Sequence, residues 1–121
     1  MTDYLSAILE RKRRENARRR RHAAAMSSVT RVAEPSRARR GMEALRRGSE
    51  DPPKVMAEVK FRSPSAGVIR PKSAGEAVRV ALSYERGGAS VISVLADGPG
   101  FGGSPLLVRR VAQAVSLPVL Y

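Results

Sequence analysis

The chain has no cysteine, no tryptophan, one histidine and only two phenylalanines among its 121 residues. Without cysteine, disulfides, thiolate metal sites and a cysteine nucleophile are all excluded. The lone histidine, His22, cannot build a multi-histidine metal site. It lies beside a run of arginines, from which a Ser-His-Asp triad would have to recruit it. It reads as a solvated helix residue. Long apolar runs are missing as well: none approaches the roughly 20 residues of a membrane-spanning helix. The first basic residue, Arg11, comes after the apolar positions of residues 1–10, the reverse of the order in a secretory signal peptide. These absences predict a soluble, cytoplasmic protein with no membrane partner.

Acidic residues are also scarce. Eleven Asp and Glu face 23 Lys and Arg, for a formal net charge of +12. The excess is spread along the chain but is densest at Arg18-Arg19-Arg20-Arg21. Such a run can meet phosphates or another anionic surface, or it can be a solvated helical face. Modules that read nucleic acid often interleave aromatics with cations, and no aromatic lies between Tyr4 and Phe61. Specific nucleic-acid recognition is therefore not expected, whereas nonspecific retention on polyanions is.

Residues 1–53 read as a basic helical extension and linker. Thr2 or Asp3 can cap a first helix, whose Tyr4, Leu5, Ile8 and Leu9 share one face. Pro35 interrupts, and Ser36 is placed to cap a short helix through Met42 and Leu45 that ends near Gly48. The composition shifts at Lys54. Residues 54–121 read as β-α-β-α-β, with strands over 55–60 and 89–95 and a third starting at Leu117. The first helix of this part opens on Ser73-Ala74-Gly75-Glu76, a capping box. It carries Ala77, Val80, Ala81 and Tyr84 on one side and stops at Gly87-Gly88. The second is capped by Ser104 and places Leu107, Val108, Val111 and Val115 toward a core. Strand starts about thirty residues apart suit βαβ crossover units, which build parallel sheets covered by helices.

The first strand carries the chemistry. Successive strand residues alternate faces, so Met56, Glu58 and Lys60 share one face while Val55, Ala57, Val59 and Phe61 share the other. A carboxylate and an ammonium so placed can orient an anionic substrate and exchange protons. Alternatively they form an ion pair on an open sheet face. Ser63-Pro64-Ser65-Ala66-Gly67 follows at once, and its hydroxyls and turn N–H groups are suited to a carboxylate or phosphate, or simply to a tight turn. A second candidate is the loop from Asp97 to Gly103, which contains a formal G-x-G-x-x-G between strand and helix. That pattern suggests a dinucleotide-binding turn, but Pro99 removes a backbone donor and Phe101 is bulky.

The run Ala57-Glu58-Val59-Lys60, followed by Ser63-Pro64-Ser65-Ala66-Gly67-Val68-Ile69-Arg70-Pro71, resembles the first strand and loop of the indole-3-glycerol phosphate synthase family. Further similarities follow in order: the helix ending Tyr84-Glu85-Arg86-Gly87-Gly88-Ala89, then Ser93-Val94-Leu95 with Asp97, where the family usually has Thr in place of Ala96. Phe101-Gly102-Gly103-Ser104 and Val115-Ser116-Leu117-Pro118-Val119-Leu120 resemble the next loop and the approach to the third strand. Ile8-Leu9, Lys12-Arg13 and Glu15 resemble the family's N-terminal helix more loosely.

The resemblance implies an α/β fold, the N-terminal part of a (β/α)₈ TIM barrel with about three strands, preceded by the basic helical segment. It implies a carbon–carbon lyase of tryptophan biosynthesis. The reaction closes the indole ring of 1-(2-carboxyphenylamino)-1-deoxyribulose 5-phosphate with loss of CO₂ and water. No metal or organic cofactor is implied, and the partner is a small anionic substrate bearing a carboxylate and a sugar phosphate. By resemblance, Glu58 and Lys60 are catalytic: Glu58 acts in proton transfer, and Lys60 holds the carboxylate and assists the acid steps. Ser63, Pro64, Ser65 and Phe101 are expected to bind substrate, with Ser63 at the anthranilate end and Phe101 on the apolar wall. The family's second catalytic lysine follows the third strand in a Lys-Asp-Phe step, beyond Tyr121. The 121 residues alone are therefore expected to be inactive and marginally folded, with open sheet edges prone to association. The alternative is a non-enzymatic basic module that binds polyanions.

Overall fold

A computed structural model describes residues 3–23 and 35–121. The residues group into two compact units, Met1–Ala33 and Glu34–Tyr121. The division falls earlier than the composition shift at Lys54.

In the first unit, helix α1 spans Tyr4–Ala23. Asp3 caps it: its carboxylate accepts the Ser6 backbone N–H at 3.2 Å and also the Ser6 hydroxyl. The hydroxyl bond first, and then the backbone one, hold the Asp3 carboxyl below the usual carboxylate range. Thr2, the other candidate cap, lies outside the described residues. Tyr4, Leu5 and Leu9 are exposed. Beyond them the helix is laced by pairs one turn apart, Arg11 and Lys12 with Glu15 at 2.9 Å each and Arg14 with Glu10.

The second unit opens with helix α2, Pro35–Leu45. It begins at Pro35 itself rather than after a Ser36 cap. Proline suits a first helical position, because its fixed φ is already helical and no N–H is needed there. Five strands and three further helices follow: β1 (Met56–Val59), β2 (Arg62–Ser63), β3 (Gly67–Val68), α3 (Ala74–Arg86), β4 (Val91–Val94), α4 (Gly98–Phe101), α5 (Pro105–Ala114) and β5 (Val119–Leu120). β1, β4 and β5 form a three-stranded sheet in that order, and both pairings are parallel. The β-α-β-α-β reading thus holds as a mixed α/β unit with a parallel sheet. The strands are shorter than the sequence suggested. Val55 lies outside β1 and is exposed, although its carbonyl still accepts the Ser90 N–H at 2.8 Å. β5 begins at Val119, after Pro118, which has no N–H to give a ladder.

Two features differ from the sequence expectation because local side chains capture backbone groups. The residues after β1 form an antiparallel hairpin, with Arg62 opposite Val68 and Ser63 opposite Gly67. The expected loop at 97–103 contains the single helical turn α4.

The core lies between the sheet and its two long crossover helices. Val59, Phe61, Ile92 and Val94 from the sheet side meet Ala77, Val80 and Ala81 of α3 and Leu107, Val108 and Val111 of α5. Each such side chain withdrawn from water contributes about 1.5–3 kcal/mol, small alanines less. The helix caps support this layer. Ser73 accepts the Glu76 N–H at 2.9 Å, and Ser104 accepts the Leu107 N–H at 3.3 Å. The capping box is only half made. The Glu76 carboxylate turns to Arg79, at 2.7 and 2.9 Å, and toward Arg70 at 3.8 Å, instead of reaching back to Ser73.

A longer-range bond fixes the far end of α3. The Glu85 carboxylate accepts both the Ser116 hydroxyl at 2.6 Å and the Ser116 backbone N–H at 2.8 Å, tying α3 to the turn before β5. The hydroxyl bond, then the backbone bond, lowers the Glu85 pKa. A carboxyl with a depressed folded pKa stabilises above its unfolded pKa, and that stability is lost as pH falls through the folded value. Glu85→Gln is therefore expected to lower the thermal midpoint at pH 7. The gap to the parent should close as pH falls below the ordinary carboxylate range. Thermal melts of both proteins between pH 7 and pH 3 check this, and a gap that is constant with pH would exclude the assignment.

Candidate functional site

The site is built at the end of β1. Ala57 and Val59 turn toward the helices, and Val59 is 1% exposed. The pleat then sends Glu58 and Lys60 to the opposite face. There the Lys60 Nζ lies 2.8 Å from Glu58 Oε1, with the side chains 38% and 43% exposed respectively. The two groups predicted from their spacing are thus in direct contact. An ion pair this exposed contributes little to stability, about 0–1 kcal/mol. Register carries the same face across the sheet, from Glu58 to Ser93 and from Ser93 to Leu120. Ser93 was not anticipated as a member of this face. Its signal was partial: within β4 it is the one hydroxyl among apolar residues, but the strand read from the sequence over 89–95 also held Ser90. Lower on the same face, Val91 stands opposite Met56. Val91 is buried yet lies outside the helix-side core, and α2 packs on β4.

Phe61 is the pivot between the strand and the loops above it. Its ring side is buried, 3% exposed. Its N–H donates to the Phe101 carbonyl at 3.3 Å, and its own carbonyl accepts the Ile69 and Arg70 N–H groups at 2.8 and 3.2 Å. One residue therefore holds the hairpin on one side and the α4 turn on the other. In the hairpin, Ser63 and Pro64 are half-buried and Ser65 is exposed. The Ser63 Oγ accepts the Ala66 N–H at 3.0 Å and lies 3.4 Å from the Ser65 Oγ. The Ala66 N–H, expected among the anion donors, is thus already used to shape the turn. What the hairpin presents is a pair of adjacent hydroxyls. Gly67 closes it with φ +67°, a conformation that costs glycine little.

The α4 turn places Phe101, which is half-buried. Asp97 caps the turn, accepting the Gly100 N–H at 2.8 Å on its side chain and the Phe101 and Gly103 N–H groups at 3.3 and 2.9 Å on its carbonyl. This speaks against the dinucleotide reading of the G-x-G-x-x-G pattern. The backbone donors a pyrophosphate would need are spent within the turn, those of Gly100, Phe101 and Gly103 on Asp97 and that of Gly102 on the Gly98 carbonyl, and Pro99 has none. The signal for this turn was an Asp followed two residues later by Pro, an N-cap with proline in the first turn.

A cavity of about 310 Å³ opens beside the hairpin, lined by Phe61, Arg62, Val68, Arg70, Gly98 and Gly102 among others. None of Glu58, Lys60, Ser63, Pro64, Ser65 and Phe101 lines it. The Glu58–Lys60 pair sits on the sheet face instead, and that face is the better candidate. Among the described residues, no cluster of three or more His, Asp or Glu is arranged to hold a metal. No described helix is long and apolar enough to cross a membrane.

Comparison with known proteins points one way. The family model described as Indole-3-glycerol phosphate synthase matches residues 5–121. A curated protein of that name from Chlorobium phaeovibrioides is 46% identical over 118 residues, which cover 97% of this chain and 44% of the relative. Its namesake from Neisseria meningitidis serogroup B is 40% identical over 121 residues, covering 99% and 46% respectively. Another from Chlorobium luteolum is 43% identical over 119 residues. The chain spans about half the length of the curated relatives it matches.

The link from α4 to the sheet is tight enough to be tested. A Cβ on Gly103 would overlap the Leu95 carbonyl, and backbone cannot yield as a side-chain tip would. Gly103→Ala is expected to destabilise by on the order of 3 kcal/mol. Gly75, in α3, has open space around its Cβ position, so Gly75→Ala should be neutral or stabilising by about 0.5–1 kcal/mol. Urea denaturation of the two variants checks the contrast.

Proposed function

The chain belongs to the indole-3-glycerol phosphate synthase family, and on that premise we propose that its β1 face supplies part of the active site for a decarboxylating ring closure. The substrate is 1-(2-carboxyphenylamino)-1-deoxyribulose 5-phosphate and the product indole-3-glycerol phosphate, which places the protein in tryptophan biosynthesis. The observation that carries this reading is the contact between Glu58 and Lys60 at the end of a parallel strand, directly followed by the Ser63–Ser65 hydroxyl pair.

The chemistry asks for these groups. Closing the ring joins the aromatic carbon that bears the carboxylate to the ketone carbon of the sugar. The carbonyl oxygen must gain protons and finally leave as water, and the carboxylate leaves as CO₂. An ammonium beside the reacting carbons holds the substrate carboxylate before it is lost and supplies a proton to the oxygen. That is the role of Lys60. Glu58, in contact with the Lys60 ammonium at 2.8 Å, positions it and accepts a proton as aromaticity is restored. The hydroxyls of Ser63 and Ser65 orient the anthranilate end, with Pro64 fixing the turn between them. Phe101, held by Asp97 and by the Phe61 N–H, forms an apolar wall for the ring. Catalysis of this kind uses positioned acids and bases and asks for no metal or organic cofactor.

The fold assigned with this reading is the opening portion of a (β/α)₈ barrel, with α1 a basic segment ahead of it. In such a barrel the strands tilt around a filled interior, and the active site lies at their C-terminal ends. The face that bears Glu58, Ser93 and Leu120 becomes the interior, and the helices α3 and α5 the outer layer. Three of eight strands cannot close that interior, so the proposed reaction also needs groups outside these 121 residues, and its open sheet edges favour association. A small anionic substrate suits the positive charge of the chain, and the cytoplasm suits the chemistry.

A chimaera tests the proposal: residues 1–121 followed by the remaining length of the Chlorobium phaeovibrioides relative. It is expected to convert the deoxyribulose phosphate to indole-3-glycerol phosphate, read by absorbance. In it, Glu58→Gln and Lys60→Met should each lower kcat by about 10²–10⁴-fold. The same two substitutions at the matching positions of the relative provide the readout if the chimaera does not fold. Full turnover by either variant would overturn the roles given to Glu58 and Lys60.

A further inference from the structure

The strongest feature that the proposed reaction leaves unused is the second half of α1. From Glu10 to His22 the helix carries Arg11, Lys12, Arg13, Arg14 and Arg18-Arg19-Arg20-Arg21, and Ala17 is the one apolar side chain. Two carboxylates answer them: Glu15 pairs with Arg11 and Lys12, and Glu10 with Arg14. Both lie in the N-terminal part of this stretch. The four consecutive arginines that follow are all exposed, no ion pair holds them among the described residues because Glu15, one turn back, is taken by Arg11 and Lys12, and Arg21 donates its Nε–H to the Ala17 carbonyl at 3.3 Å. At 100° per residue, these cations cover the whole circumference of the helix rather than one stripe.

We propose that this half of α1 binds the phosphate backbone of double-stranded nucleic acid without reading its sequence. Three physical arguments select that partner. A membrane surface takes a helix whose apolar face runs alongside its cations, whereas the exposed Tyr4, Leu5 and Leu9 lie ahead of the basic stretch, which has no apolar face of its own. Single strands are held by aromatic platforms, and no aromatic lies between Tyr4 and Phe61. A duplex needs only cations at close spacing, and its major groove, about 12 Å wide, admits a helix of about 10–12 Å diameter. Cations around the full circumference then reach the phosphates on both walls of the groove. From Arg11 to Arg21 the helix is about 15 Å long, at about 1.5 Å per residue, enough to pass several phosphates. Asn16 is the one side-chain amide in the stretch, and the phosphates, present at every step of any duplex, are the target that all the arginines share, so the binding does not depend on sequence.

The test uses the 121-residue chain and fluorescein-labelled 20-bp duplexes, with anisotropy measured from 50 to 300 mM salt. If the five arginines 13 and 18–21 each neutralise one phosphate, log K falls against log salt with a slope of about −4.5. Affinity then drops by about 500-fold between 50 and 200 mM. Two duplexes of unrelated sequence should bind within about threefold of each other. Replacing Arg18, Arg19, Arg20 and Arg21 together by Gln, a good helix former, should make the slope shallower by about 3.6. Replacing all four by Lys should restore it, which separates charge from any effect on folding. Arg109→Gln with Arg110→Gln, on α5, should leave the slope where it was. The proposal is overturned if the fourfold Gln variant keeps the parental slope, or if the α5 pair moves it as much. It is equally overturned if the Lys variant stays as weak as the Gln variant. Tighter binding to phosphatidylserine vesicles than to duplex at equal salt would also overturn it, and would assign α1 to a membrane surface. Turnover by the chimaera is independent of every one of these outcomes.

Discussion

The alternation of faces along β1 is the constraint on which the rest depends. Val59 and Phe61 are drawn into the layer between the sheet and its helices, at 1% and 3% exposure. Burial of those two residues leaves Glu58 and Lys60 no choice of side, because a strand has a period of two. A slip of one residue would place a carboxylate and an ammonium in the aliphatic core, where neither could be paired and hydrated at once. The hydrophobic layer therefore positions the charged pair as firmly as any direct contact could. The pair itself contributes little energy.

Phe61 extends this logic from the sheet to the loops. Its side chain belongs to the core, while its backbone N–H and carbonyl serve the α4 turn and the hairpin. Loops that carry function are usually held by a rigid scaffold, and here one residue makes both attachments. Gly102 reinforces the arrangement. It adopts φ +72°, and a Cβ there would press within 3.1 Å of the Phe61 Cβ. The close approach of the two loops thus requires glycine twice over, for its backbone conformation and for its lack of a side chain.

The two units show different physics. The second has a layered core, satisfied caps and a cross-link from Glu85 to Ser116. The first, among its described residues, is a single helix held by an Asp3 cap and by ion pairs one turn apart. Such pairs are worth a few tenths of a kcal/mol each. The consecutive arginines add mutual repulsion that a polyanion would relieve. The charge that makes the helix costly is the same charge that would make it useful.

Much of this architecture was legible in the sequence. The order of strands and helices, the caps at Ser73 and Ser104, the core faces of α3 and α5, and the shared face of Glu58 and Lys60 all followed from periodicity and local capping. These are properties of neighbouring residues, so one chain suffices to show them. The helix start at Pro35, the turn α4 and the turning of Glu76 to Arg79 were not read, because each depends on which of several competing local partners wins. The contact between Phe61 and Phe101, the seating of Gly103 against Leu95 and the bond from Glu85 to Ser116 lie beyond any local pattern. Ser93 joins the face of Glu58 only because the parallel register aligns two strands that are 35 positions apart. Sequence alone determined which residues can do chemistry and which way each strand residue points. Tertiary structure decided which of them meet, because register and loop closure are set by how the helices pack rather than by any residue's neighbours.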